Sequence, residues 1–395
     1  TIVRKILANG FRCHYHRSPA FVAYARRAES YRDSPEWLSG KAMARTVDLL
    51  ARAGLLDVSL GERGSPGGVG TTSTYRVTQA LCEVARQHGV TESSLTHRLP
   101  PERLVRLRKS NYTGPLISFV PTDDTSHWAA LLEAYNAFIA QQNIALAMSA
   151  EEEADWAKRL NSDRGRNGSR DGGRSRSGMP FYRPELIQTD LYRSFNNSCF
   201  EEGGRLYGGW WIGAPKALRG KITINGQPTV ELDFSGCAPR MLYHERGLDY
   251  RDDPYRLEVI AAYEQKEGLK ADHFREGIKA MMQALINDRD KGKPERIRLP
   301  DGLSFRPGFS RPEVRKIIEE KHAPIAGAFG TGAGLRLQRI DSDLALRIVT
   351  ELREAGIAAL PIHDSFIVKS SCGEQLRNKM IESYNRMFGF NPVIK

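Results

Sequence analysis

Between Asn161 and Gly178 the chain carries five arginines, five glycines and not one apolar side chain. Such a run cannot bury enough surface to offset the entropy of ordering it, so no hydrophobic core passes through it. We read 161–178 as a flexible basic linker and expect the chain to fold on either side of it. Three segments follow: a first domain over 1–95, a helical connector over 96–180 that contains the linker, and a main domain over 181–395. With 395 residues and 40% hydrophobic content there is apolar material for ordinary cores.

The formal net charge of +11 favours a polyanionic partner, nucleic acid before membrane. No apolar run approaches the roughly 20 residues that span a bilayer, and the N-terminus lacks a signal-peptide pattern. We therefore expect a cytoplasmic protein with no membrane partner. The five cysteines (Cys13, Cys82, Cys199, Cys237, Cys372) are scattered, odd in number and without CxxC spacing, as for buried thiols in a reducing compartment. Cys13, His14 and His16 cluster, but no further ligand stands at a suitable spacing, and no metal is expected there.

The first ninety-odd residues read as a winged-helix-like domain. Phe21 to Tyr31 suits a helix. Ser39 is placed to cap a second helix running to about Ala53, with Met43, Val47 and Leu50 on its buried side and Gly54 at its end. Leu55 to Leu60 and Tyr75 to Thr78 suit paired strands, joined by the polar, glycine-rich tip Gly61 to Gly70. A helix from Gln79 completes the order of a helix-turn-helix with a wing. Lys41, Arg45, Arg52 and Arg63 would then face a phosphate backbone; the alternative is a domain for protein contacts. In the connector, Leu116 to Val120 suits a strand, and Trp128 to Ala140 and Ser149 to Leu160 suit helices.

Two stretches in the C-terminal half each end an apolar strand in an aspartate. Val230 and Leu232 alternate before Asp233, after which Pro239 opens a helix that Gly247 closes. Ile357 to Ile362 and Phe366 to Val368 read as strands with His363 and Asp364 at the bend between them. Carboxylates on the lips of one sheet can hold two divalent cations about 4 Å apart, which clamps both oxygens of an in-line phosphoryl displacement. Arg275 and Lys279 lie four apart on one helix face that continues through Met282 and Ile286; two cations so placed can grip a triphosphate. Leu337, Gln338 and Asp343 open a last helix with the apolar stripe Ile340, Leu344 and Ile348, ended by Gly356. The glycine-rich Gly327 to Gly334 matches no phosphate-binding spacing and reads as a loop.

Together these residues resemble the right-hand polymerases of family A and the bacteriophage-type single-subunit RNA polymerases. Asp233-Phe234-Ser235 followed by Arg240 resembles motif A, and Arg275-x3-Lys279 the start of motif B. His363-Asp364-Ser365-Phe366 resembles motif C in its RNA-polymerase form; the DNA enzymes usually have glutamate where Ser365 stands. Gly204-Arg205-Leu206 is similar to the arginine motif at the primer terminus, and Leu337-Gln338 with Asp343 to the stretch before motif C. The five elements stand in the family's order but cover only the C-terminal half, and the N-terminal half shows no exonuclease carboxylate pattern, so no proofreading is implied.

The resemblance implies an α+β fold: a right-hand palm on an antiparallel sheet with helical fingers, a thumb-like region within the connector, and the winged-helix-like domain in front. It implies a nucleotidyltransferase, a DNA-templated polymerase of DNA or RNA. Asp233, the Phe234 carbonyl and Asp364 would hold two Mg²⁺, or Mn²⁺ in their place. Arg275 and Lys279 would bind the triphosphate, with Lys279 protonating pyrophosphate. Arg205, Gln338 and His363 would meet the primer–template end. Ala238 stands where the DNA enzymes have a glutamate that excludes ribose, so weak discrimination between dNTP and rNTP is expected. Gln283 and Asn287 replace the aromatic residues of motif B. The alternatives are a dedicated RNA polymerase or primase, or a non-catalytic DNA-binding replication initiator or regulator.

Overall fold

The computed structural model describes residues 2–15, 22–24, 26, 39–61, 73–90, 98–111, 114–149, 151–152, 188–289, 299 and 304–395. Outside them lie the linker 161–178, the wing tip beyond Gly61 with Arg63, most of the proposed helix 21–31, and the proposed helix 149–160 beyond Glu152. The fold is a mixed α+β one, and the chain divides into two compact units. One comprises Thr1–Leu99, Ala145–Asp190 and Gly209–Lys221; the other comprises Pro100–Ile144, Leu191–Gly208 and Ile222–Lys395.

The first unit is built around Tyr75. A helix at Ile2–Tyr15, which the sequence reading did not identify, lays Ile6 and Phe11 into a core with Tyr24, Met43, Val47, Leu56, Val77 and Leu81. Gly10 lets that helix approach the sheet, because a Cβ there would sit 2.6 Å from Val77 Cγ1. Ser39 caps the helix Gly40–Arg52 through the Ala42 amide, and Thr78 caps Gln79–Gln87 through the Leu81 amide. Strands Leu56–Ser59 and Ser73–Val77 pair antiparallel in the register Leu56↔Val77. One expectation fails here. Val22–Tyr24 is not the start of a helix but a third strand, paired Val22↔Tyr75, because alternation buries Tyr24 edge-on against Tyr75 at 5.7 Å.

In the second unit the main sheet is antiparallel. Four of its strands run in the order Leu360–Ile362, Ser365–Lys369, Gln227–Asp233, Ile222–Ile224. A second sheet joins Leu116–Ile117, Val105–Arg108, Tyr192–Phe195 and Gly203–Tyr207, with Val105–Arg108 parallel to Tyr192–Phe195. The long helix Ala333–Glu354 packs against the strand Gly203–Tyr207 and the helices Asp123–Ile139, Arg275–Asn287 and Gly373–Phe388. It is not the last helix, as the sequence reading had it. Gly373–Phe388 follows, burying Leu376, Met380 and Tyr384 at helical spacing and stopping at Gly389 in the left-handed region.

The glycine-rich loop before the long helix closes on the far end of the Arg275 helix. Gly330 N–H donates to the Leu285 carbonyl and Gly332 N–H to that of Asp288. A Cβ on Gly332 would meet Arg289 at 2.5 Å, and one on Gly334 would meet Asn287 at 1.9 Å. Gly332 and Gly334 therefore serve close packing.

Candidate active site

Asp233 is the last residue of its strand and stays exposed, while Phe234 turns inward to meet the rings of Phe366 and Tyr384. Ser235 and Gly236 (φ +58°) then swing the chain into the helix Cys237–His244. The bend is clamped by Arg240, which is buried and donates to the carbonyls of Ser235 (2.8 Å), Asp252 (2.9 Å) and Tyr250. Opposite Asp233 in the sheet is Ser365. Asp364 precedes it in a tight turn whose first residue, His363, takes φ +58°. The Phe234 N–H donates to the Asp364 carbonyl at 3.1 Å, so the two aspartates hang from neighbouring backbone segments.

Two further acidic residues stand here that the sequence reading missed. Glu231, two residues before Asp233 and so on the same strand face, accepts a 2.8 Å hydrogen bond from Ser365 Oγ. Asp341 of the long helix is buried and pairs with Arg205 at 3.4 Å. Burial pushes its carboxyl up to about 7; Arg205 opposes that shift, and the charges of Asp364 and Asp233 add to it. Asp364 is likewise raised, by burial first, then against Arg205 and Lys279 and with Glu231. The charges of Asp364 and Asp233 thus bear on Asp341 and that of Glu231 on Asp364, with Arg205 and Lys279 on the opposing side. The buried Cys237 thiol is pushed up by burial and by Asp341, Asp364 and Asp233.

Arg275 and Lys279 share one face of their helix, but Arg275 is engaged. It donates to Asp253 through Nε (2.8 Å) and Nη2 (3.3 Å), with its guanidinium carbon 5.2 Å from the ring centre of Tyr255. Lys279 is exposed, its Nζ 6.0 Å from the same ring centre. Tyr255, another residue the sequence reading did not single out, is buried and hydrogen-bonded to Gln283, and burial above all lifts its phenol to about 12. Asn287 donates to the Gln283 carbonyl and abuts Gly334. Ala238 is half-buried in the first turn after Gly236.

Arg205 stands on the strand Gly203–Tyr207 and is held by Asp341. Gln338 is half-buried one helical turn before Asp341, and His363 meets Tyr207 edge-on at 6.2 Å. Asp343, which the resemblance selected, faces away from this cluster. It pairs with Arg193 at 3.0 Å and with Arg339. In the first unit Lys41, Arg45 and Arg52 are exposed along one stripe of the helix Gly40–Arg52.

Among the described residues, no group of three or more His, Cys, Asp or Glu side chains is placed to hold a metal ion by itself. No described helix is long and apolar enough to cross a membrane. No family model matches the sequence, and no curated protein matches it. Among solved structures the chain is similar to the POL domain of Pol1 from M. smegmatis in complex with DNA primer-template and dNTP, at 10% identity and a TM-score of 0.29. The likeness is slight. It covers 100% of this chain, which spans 65% of the length of that one.

Proposed function

We propose that the chain is a template-directed nucleotide polymerase, with its palm on the Asp233 sheet, its fingers on the Arg275 helix and a winged-helix-like domain that grips duplex DNA. The observation that carries the reading is the pair Asp233 and Asp364 on adjacent backbone segments, joined through Phe234 N–H to the Asp364 carbonyl, with Glu231 and Asp341 beside them. Mg²⁺ is usually held by one or two carboxylates, with substrate phosphates and water filling its other positions. Two aspartates with the Phe234 carbonyl fit that manner of binding, which needs no closed cage of protein ligands. Two Mg²⁺ or Mn²⁺ bound there would activate the primer 3′-hydroxyl and neutralise the triphosphate.

The remaining roles fall to side chains. Lys279, exposed beside Tyr255, would meet the triphosphate and give a proton to departing pyrophosphate. Arg275 would exchange Asp253 for phosphate oxygens. Arg205, Gln338 and His363 would receive the primer–template end. Purified protein supplied with primed template, Mg²⁺ and dNTPs or rNTPs is expected to lengthen the primer in a template-dependent ladder. A lack of templated product with either set of nucleotides would sink the reading, and synthesis from rNTPs only on unprimed template would make it a primase.

Ala238 gives a sharper expectation. A methyl group at this place leaves room for a ribose 2′-hydroxyl, so single-turnover insertion of matched rNTP and dNTP pairs should differ by no more than about tenfold, roughly 1.4 kcal/mol in barrier. Ala238→Glu should depress ribonucleotide use far more than deoxyribonucleotide use. Wild-type discrimination of about a thousandfold, roughly 4 kcal/mol, would assign the gate to another side chain.

The basic stripe of the first unit is tested by salt. Alanine at Lys41, Arg45 and Arg52 together should weaken duplex binding and make the log–log salt dependence shallower by about 0.9 for each phosphate no longer neutralised. An unchanged slope would turn the domain toward a protein partner.

A further inference from the structure

The strand that carries Asp233 has an edge problem. Its neighbour Ile222–Ile224 pairs with it at Gln227 and Pro228, the opposite end from Asp233. The missing partner comes from the far end of the sequence. Asp233 N–H donates to the Lys395 carbonyl at 2.9 Å, Lys395 N–H donates to the Asp233 carbonyl at 3.0 Å, and Ser235 N–H donates to the Val393 carbonyl at 2.8 Å. Phe234 and Ile394 sit opposite each other in this short antiparallel ladder. Both peptide groups of Asp233 are therefore satisfied by one residue, Lys395. The segment is itself anchored: Arg251 donates to the Asn391 carbonyl at 2.6 Å, the Asn385 side chain donates to that of Asn391 at 3.0 Å, and Pro392 is buried.

We infer that Val393–Lys395 is a positioning element of the candidate active site, fixing the backbone from which the Asp233 carboxylate hangs. The inference rests on the polymerase reading for its consequence but not for its geometry. An exposed strand end bound on one side only would fray, and its carboxylate would sample directions away from Asp364. With both sides bound, Asp233 and Phe234 lie between the segment and the Asp364 turn. The placement tolerance of a reacting constellation is tight, so loss of one side should appear in turnover before it appears in binding.

Two substitutions separate the backbone from the side chain. Lys395→Pro deletes the N–H that Asp233 accepts; Lys395→Ala keeps it and removes the charge. Lys395→Pro is expected to lower kcat for primer extension at least tenfold, with primer–template Kd and nucleotide KM within about threefold of wild type. Amide exchange at Asp233 and Ser235 should speed by at least tenfold. Lys395→Ala should retain half the turnover or more, with slow exchange at both amides. Lys395→Pro with turnover within twofold of wild type, or equal losses in the two variants, would overturn the inference. A wild-type chain that extends no primer would remove the polymerase reading alone. The exchange rates would still decide the segment, and fast exchange of the Asp233 amide in wild type would refute it.

Discussion

Alanine at Asp233 or at Asp364 is expected to lower primer extension by about a thousandfold or more, a loss of roughly 4 kcal/mol or more of transition-state stabilisation. Each carboxylate would supply a large share of the protein ligands to the metals, and the described residues contain no cage of three or more that could substitute. The two substitutions differ in what they do to folding. Asp233 is exposed at a strand end, and its backbone bonds survive loss of the side chain. Asp364 is raised by burial first, against the pull of Arg205 and Lys279, so removing it ends the cost of holding a desolvated carboxylate. Melting temperature should hold for Asp233→Ala and hold or rise for Asp364→Ala, and duplex binding should change little in either. Activity above a few per cent of wild type in either variant, with matched metal and template, would remove the two-metal assignment.

What the sequence made legible was local. The strand ends at Asp233 and Asp364 could be read because alternation, a turn and a following helix or strand are written within a few residues of each. The cap at Ser39 is local in the same way, and so is the stop at Gly389, although the helix that Gly389 ends went unread. Val22–Tyr24 was misread because three residues fit either period, and the choice falls to Tyr75, far along the chain.

The site shows the same division. Glu231 was within reach, since a residue two before a strand-end aspartate shares its face. Asp341 was not. Its burial depends on how the long helix lies against the strand Gly203–Tyr207, and the family pattern drew attention to Asp343 two residues on. Spacing placed Arg275 and Lys279 on one face but could not say that Asp253 already holds Arg275. The partner of Asp233 from Val393–Lys395 lies beyond any motif, because strand pairing at that separation leaves no periodicity to read.

Arg193 carries the largest expected effect on stability. It is wholly buried on the strand Tyr192–Phe195, donating through Nε to the Gly204 carbonyl at 2.9 Å and through Nη2 to Ser342 Oγ at 2.6 Å and Asp343 at 3.0 Å. Its guanidinium carbon lies 4.8 Å from the ring centre of Trp128 and 4.9 Å from that of Phe195, and Arg339 approaches the same two rings. Burial, then the charge of Arg339, pushes its pKa down to about 9, which leaves it charged at neutral pH. Gly204 is part of the arrangement, since a Cβ there would meet Arg193 Nη2 at 2.9 Å and Ser342 Oγ at 3.0 Å. Arg193→Ala removes the charge, opens a cavity and strands the buried Gly204 carbonyl, so a loss of about 3–5 kcal/mol is expected. Arg193→Met keeps the stem and the ring contacts and should cost less. Arg193→Lys keeps the charge but cannot span the Gly204 carbonyl and Asp343 together, and should fall between them. Denaturant unfolding of the three variants, with Asp343→Ala to complete a double-mutant cycle, measures this order. A loss below about 1 kcal/mol for Arg193→Ala would place it with ordinary surface substitutions and refute the role of the buried guanidinium in joining that strand to the long helix.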